Sequence, residues 1–173
     1  KYIGNSDYNE KTEQVSIKVY SPSTYTGIVY VSTNGDDSND GSVDSPKLTI
    51  KKAVAQALKE GGSHQIIVLD GRYYVNDVII NSYLNITGQG NVIFDGRGLG
   101  RIFNITNGDV IIKNIIFTNG KSTTGGAIYN IANLTLINDT FIDNTANTGG
   151  AITTSSITII NSTFKNNQAT SGN

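Results

Sequence analysis

The side chains of this 173-residue chain that could do chemistry fall into three sets. In the first, Asp70-Gly71-Arg72 and Asp95-Gly96-Arg97 each place a carboxylate and a guanidinium across a glycine, with Arg101 and Lys113 following. Paired carboxyls at a defined separation, aided by a cation, are what acid/base cleavage of a glycosidic bond requires, so these six are the candidates for it. Farther along only Asp139, Asp143 and Lys165 are available, and no carboxylates recur at the equivalent positions of the next repeat. Both D-G-R phrases also read as tight turns, and on that reading no residue is assigned a catalytic role.

The second set is the acidic loop Asp36-x-Ser38-x-Asp40-Gly41. Oxygen ligands at alternate positions suit calcium, which makes Asp36 and Asp40 the weak metal candidates. Lys47 stands where a twelve-residue calcium loop carries its bidentate glutamate, so the expectation is an Asx-rich turn with no cofactor. The third set is five Asn-x-Thr sequons, at Asn85, Asn104, Asn133, Asn138 and Asn161. His64, the one histidine, reads as a solvated loop residue.

The elements that must position these groups are written as a repeat. Phe117, Phe141 and Phe164 are 24 and 23 residues apart, Asn114, Asn138 and Asn161 keep the same intervals, and Gly125-Gly126-Ala127-Ile128 returns as Gly149-Gly150-Ala151-Ile152. Asn91 and Phe94 extend the two columns one unit earlier. Within each unit Val110 and Ile112, Leu134 and Leu136, and Ile157 and Ile159 alternate with other residues, the period of a strand. So short a unit cannot close a core alone, and it must bury its apolar face by stacking on its neighbours. The expected result is a parallel solenoid of five or six coils. Its ladders are Asn91, Asn114, Asn138 and Asn161, taken as inward, and Phe94, Phe117, Phe141 and Phe164 in offset stacks. An inward column would leave Asn138 and Asn161 unmodified, so Asn85, Asn104 and Asn133 are the candidate N-glycosylation sites. Thr135 and Thr158, with Ile111, are expected on one outer column, and Ile115, Asp139 and Ser162 on another.

The GGA-I phrase and F-x-x-N, at Phe141 to Asn144 and Phe164 to Asn167, resemble the repeats of chlamydial polymorphic membrane proteins and of adhesin-like surface proteins of methanogenic archaea. The stretch from Tyr30 to Ala53 resembles the entry phrase of many pectin-lyase-like proteins. The resemblance implies an all-β, right-handed parallel β-helix with an N-terminal capping helix. It implies an extracellular, cell-surface stalk or adhesive segment that binds a glycan or protein through many weak contacts. The same architecture serves polysaccharide lyases and glycoside hydrolases, so the N-terminal part of such an enzyme is the alternative, and an inert spacer is a third.

Composition agrees. Charged residues are 16% of the chain and the net charge is −1, which leaves no electrostatic footprint for nucleic acid or an anionic membrane. There is no cysteine, hence no disulfide and no thiolate metal site. No segment is apolar enough for a transmembrane helix. In chain order, residues 1–20 are expected to be the last hairpin of an upstream immunoglobulin-like module, 21–27 a linker, and 28–173 the β-helix, with its capping helix at about 49–60. The run 66–69 is expected to be a strand buried on both sides. The chain is expected to be a fragment whose last coil is open around Ile157, Ile159 and Phe164 and prone to end-to-end self-association.

Overall fold

The computed structural model describes residues 27–59 and 64–171. The expected hairpin over 1–20 and most of the linker lie outside them. The elements run in chain order as β1 (Val29–Val31), α1 (Ile50–Ala57), β2 (Gln65–Val68), β3 (Gly71–Tyr74), β4 (Val78–Ile80), β5 (Leu84–Asp95) and β6 (Phe103–Ile105). Then come β7 (Asp109–Thr118), β8 (Lys121–Thr124), β9 (Ile128–Ile137), β10 (Thr140–Ile142), β11 (Thr145–Thr148), β12 (Ile152–Ile160), β13 (Thr163–Lys165) and β14 (Gln168–Ala169). Every pairing between them is parallel, and the chain forms a β-solenoid of about four turns.

The number of turns is smaller than expected because the faces fill unequally. One face stacks six rungs, β1, β2, β5, β7, β9 and β12, whereas the next has five, β3, β5, β7, β10 and β13. A third has β4, β6, β9 and β12, and the short face has only β8, β11 and β14. The first rungs therefore belong to incomplete coils.

Register is strict where the repeat is strict. Phe94, Phe117, Phe141 and Phe164 pair in sequence along one face, and so do Leu84, Val110, Leu134 and Ile157 along another. The rings of Phe117, Phe141 and Phe164 stack flat, with centroids 4.7 and 4.8 Å apart, the spacing of the rungs themselves. The column breaks below Phe117: Phe94 meets it edge to face, because Phe103 of β6 wedges against both. The run 66–69 is buried on one face only, since Ile67 is partly exposed between buried Ile66 and Val68.

The asparagine ladder is the main correction. Asn91, Asn114, Asn138 and Asn161 all lie on the outside, the last three with φ of +58°, +56° and +48°, and there Asn138 Nδ2 does donate to Asn114 Oδ1 of the rung before it at 3.3 Å. At this left-handed bend it is the following residue that points in, so Ile115 and Asp139 are buried instead of lining an outer column. The inward asparagines are those of F-x-x-N. Asn144 is fully buried; its Oδ1 accepts from the Gly120 N–H, and its Nδ2 donates to the Phe117 carbonyl and to Asn167 Oδ1. Asn167 repeats the bond one rung on, to the Phe141 carbonyl. These amides satisfy the backbone where the strands turn away from one another. Thr135, Thr158 and Ile111 do face outward.

The Gly-Gly bend has a steric cause. A Cβ on Gly126 would strike the Gly150 carbonyl of the next coil and come within 2.8 Å of the Thr145 nitrogen.

α1 closes the N-terminal end. Ile50, Ala53, Val54 and Ala57 are its buried face, and Thr49 caps it by accepting from the Lys52 N–H. At the other end, the last coil leaves Ile159, Ile160 and Phe164 exposed. Among the described residues, no helix is long and apolar enough to cross a membrane.

Candidate functional site, an axial cleft beside a coil insertion

Where β5 ends, the chain makes the insertion Gly96-Arg97-Gly98-Leu99-Gly100. The equivalent corners of later coils hold only Asn119-Gly120 and Asp143-Asn144 before the next strand begins. The insertion stands out as a wall, and beside it lies a cleft of about 400 Å³. Arg97 and Gly98 form the wall, and Asn119, Lys121, Asp143 and Thr145 form the floor over the next two coils.

Asp95 anchors the wall. Its Oδ2 lies 2.5 Å from Arg72 Nη1, while Oδ1 accepts from the Arg97 N–H at 2.8 Å and from Asn119 Nδ2 at 3.0 Å. Burial disfavours the charged form, but these hydrogen bonds, with the Asn119 amide foremost, outweigh it and hold the carboxyl below the ordinary range. Arg97 then lays its guanidinium over the Tyr74 ring, 4.7 Å from the centroid. Tyr74 and Arg72 also line a second hollow of about 300 Å³, which Leu48 and Thr49 close on the side of the capping helix. The Arg72–Asp95 and Tyr74–Arg97 contacts stand between the two hollows.

The structure therefore gathers Arg72, Asp95, Arg97 and Asp143 and disperses the other candidates. Asp70 Oδ1 accepts from the Asn91 N–H at 2.7 Å, in a turn. Arg101 belongs to another corner, donating to Ser122 Oγ at 2.7 Å and lying over Tyr129. Lys113 faces outward beside Asn85 and Thr87. Lys165 is exposed on the last coil, and His64 Nδ1 lies 2.8 Å from the Tyr83 carbonyl. Asp139 is buried in a different turn, where its carboxylate accepts from the Ile115 and Ile137 N–H groups.

Asp95 and Asp143 sit two rungs apart, roughly 10 Å by strand spacing. A general acid needs a raised pKa, whereas Asp95 is a depressed, fully engaged anion. The cleft offers both donors and acceptors, among them the Lys121 ammonium and the Asp143 carboxylate. Such a surface suits hydroxyl-rich ligands. Asn119, Lys121 and Thr145 were not among the sequence candidates. Their signal was that Asn119-Gly120-Lys121 and Asp143-Asn144-Thr145 occupy one column, one repeat apart.

In the acidic loop, Asp36 Oδ1 accepts from the N–H and hydroxyl of Ser38, and Asp40 Oδ1 from the Ser42 N–H. Those bonds hold both carboxyls below their usual pKa range. Asp37 accepts from Leu48 N, Thr49 N and Thr49 Oγ1, tying the loop to the start of α1. The buried Lys47 sends its ammonium into the loop, to the carbonyls of Asp37 and Asn39. The chain thus supplies a cation of its own, and among the described residues no group of three or more His, Cys, Asp or Glu could hold a metal. Lys47→Met leaves those carbonyls without a donor. It is expected to cost about 2 kcal/mol in urea unfolding and to speed proteolysis near α1; unchanged values for both would refute the role given to the ammonium.

Of the sequon asparagines, Asn85 and Asn104 are partly buried, while Asn133 is exposed with its Nδ2 on Asp109 Oδ1 at 2.8 Å. Asn138 and Asn161 are exposed as well, so the inward column that set them apart does not exist. No protein-family model matches the chain, and no curated protein or solved structure is significantly similar to it.

Proposed function

We propose that the chain is an adhesive or stalk segment of an extracellular, cell-surface protein, whose rod presents a polar cleft to glycans or glycosylated proteins. The observation that carries this reading is the cleft beside the insertion, where Asn119 and Lys121 of one coil and Asp143 and Thr145 of the next follow one another along the solenoid axis. A linear glycan laid along the axis would meet a new rung roughly every 4.8 Å, each offering an amide, ammonium, carboxylate or hydroxyl. Individual contacts of this kind are weak, and affinity comes from several modules engaged at once. Asn138 and Asn161, exposed like Asn133, join Asn85, Asn104 and Asn133 as the glycan acceptors of this reading.

The test is a glycan array probed with a multimerised form of the chain, followed by titration of the best ligand. Lys121→Ala combined with Asp143→Asn is expected to weaken binding about tenfold, near 1.4 kcal/mol, while leaving unfolding unchanged, because both side chains are exposed and asparagine suits the left-handed backbone of residue 143. Binding that survives the double substitution would dismiss the cleft. An array without hits, in a folded multimer, would dismiss the glycan reading.

A further inference from the structure

The chain contains three Asn-Gly dipeptides, Asn34-Gly35, Asn107-Gly108 and Asn119-Gly120. In this dipeptide the glycine nitrogen can attack the asparagine Cγ, because no Cβ stands in the way. A C–N bond forms and closes a five-membered succinimide, the side-chain nitrogen leaves as ammonia, and water then opens the ring. The product is aspartate or isoaspartate, with one water consumed and one ammonia released.

The fold treats the three sites differently. Gly35 donates its N–H to the Ser32 carbonyl at 2.9 Å. Gly120 donates to the buried Asn144 Oδ1 at 2.8 Å, and the Asn119 amide is itself held by Asp95. Attack at either site must first break the hydrogen bond that holds the glycine nitrogen. Asn107-Gly108 differs from both in its hydrogen bonding, although Gly108, like Gly35, lies close against neighbouring backbone, at Ser82 and Tyr83. Asn107 is exposed, and among the described residues neither its side chain nor the Gly108 N–H has a hydrogen-bond partner. Gly108 sits at φ +91° in the turn before β7, at the mouth of an open polar cleft of about 340 Å³ that admits water.

We propose that Asn107 is a self-modification site of the folded protein, converting through a succinimide to aspartate and isoaspartate while Asn34 and Asn119 are protected. The new carboxylate would stand two residues from Asp109, whose Oδ1 already holds Asn133 Nδ2. An isoaspartate would also add a methylene to the main chain just ahead of β7. The modification therefore changes both the charge and the backbone at the rim of this cleft.

The experiment is peptide mapping with isoaspartate detection on protein aged in mildly alkaline buffer, folded and in urea. In the folded chain Asn107 is expected to convert at least about tenfold faster than Asn34 or Asn119, since those need local opening first. In urea the three rates should converge. Asn107→Gln, which cannot close the five-membered ring readily and alters only an exposed side chain, should abolish the dominant product. The proposal is overturned if Asn34 or Asn119 keeps pace in the folded protein, or if the dominant product survives Asn107→Gln.

Discussion

Phe117→Ala is expected to remove about 4 kcal/mol of stability, the usual range for a fully buried phenylalanine. Its ring has no exposed surface and meets rings from three other strands: flat against Phe141 at 4.7 Å and edge to face with Phe94 and Phe103. Deleting it leaves a void that the rungs above and below cannot fill, because parallel registration fixes their backbones. Phe164→Ala is the internal comparison. That ring is 43% exposed and stacks on one neighbour only, so about 1 kcal/mol is expected. Urea midpoints of the two variants provide the measurement. Equal losses would mean that the stack does not contribute as a column of buried rings, and the assignment of the core to it would be wrong.

The second large effect is one of pH. Burial, working against two backbone N–H bonds, pushes Asp139 up to about 7 from an ordinary 3.8. Between those values the folded chain keeps a proton that the unfolded chain has released, so raising the pH favours unfolding. The interval corresponds to about 4 kcal/mol of stability lost between the ordinary value and neutrality. Asp95 acts in the opposite sense: its folded pKa is depressed, so its contribution is present above 3.8 and disappears as the pH falls further. Stability should therefore peak in mild acid and decline on both sides. Asp139→Asn keeps one acceptor and cannot ionise; it is expected to flatten the limb above the peak while leaving the acid limb. A wild-type urea midpoint that is constant from mild acid to neutrality would contradict the buried, proton-holding state of Asp139.

Asp139 also marks the boundary between what was legible in the chain and what was not. The solenoid could be read from spacing alone, because a period near two dozen residues, alternating Val, Ile and Leu, and the Gly-Gly phrase each constrain the same stacking. The capping helix was legible for a similar reason, since Ile50, Ala53, Val54 and Ala57 share one face behind a Thr49 cap. Spacing fixes which residues lie above one another, but at a bend it does not fix which side of the wall they face. Asn138 and Asp139 are adjacent in a column that repeats faithfully, and either could have turned inward. The left-handed backbone at Asn138 decided it, and the inward amide ladder fell to Asn144 and Asn167.

The cleft was less legible still. Arg72, Asp95 and Arg97 drew notice as charged pairs, yet their partners Tyr74, Asn119, Lys121 and Thr145 are ordinary residues whose proximity arises from three-dimensional stacking across four rungs. The five-residue insertion at Gly96–Gly100 became a wall only because its neighbours above have none. Residue types and their period determined the stack, its aromatic column and its closed N-terminal end, since those follow from local strand geometry and the need to bury an apolar face. Facing at the bends, the pairing of Asp95, the ammonium in the acidic loop and the exposure of Asn107 were decided by tertiary structure alone, because each depends on which backbone groups a neighbouring coil leaves to be satisfied.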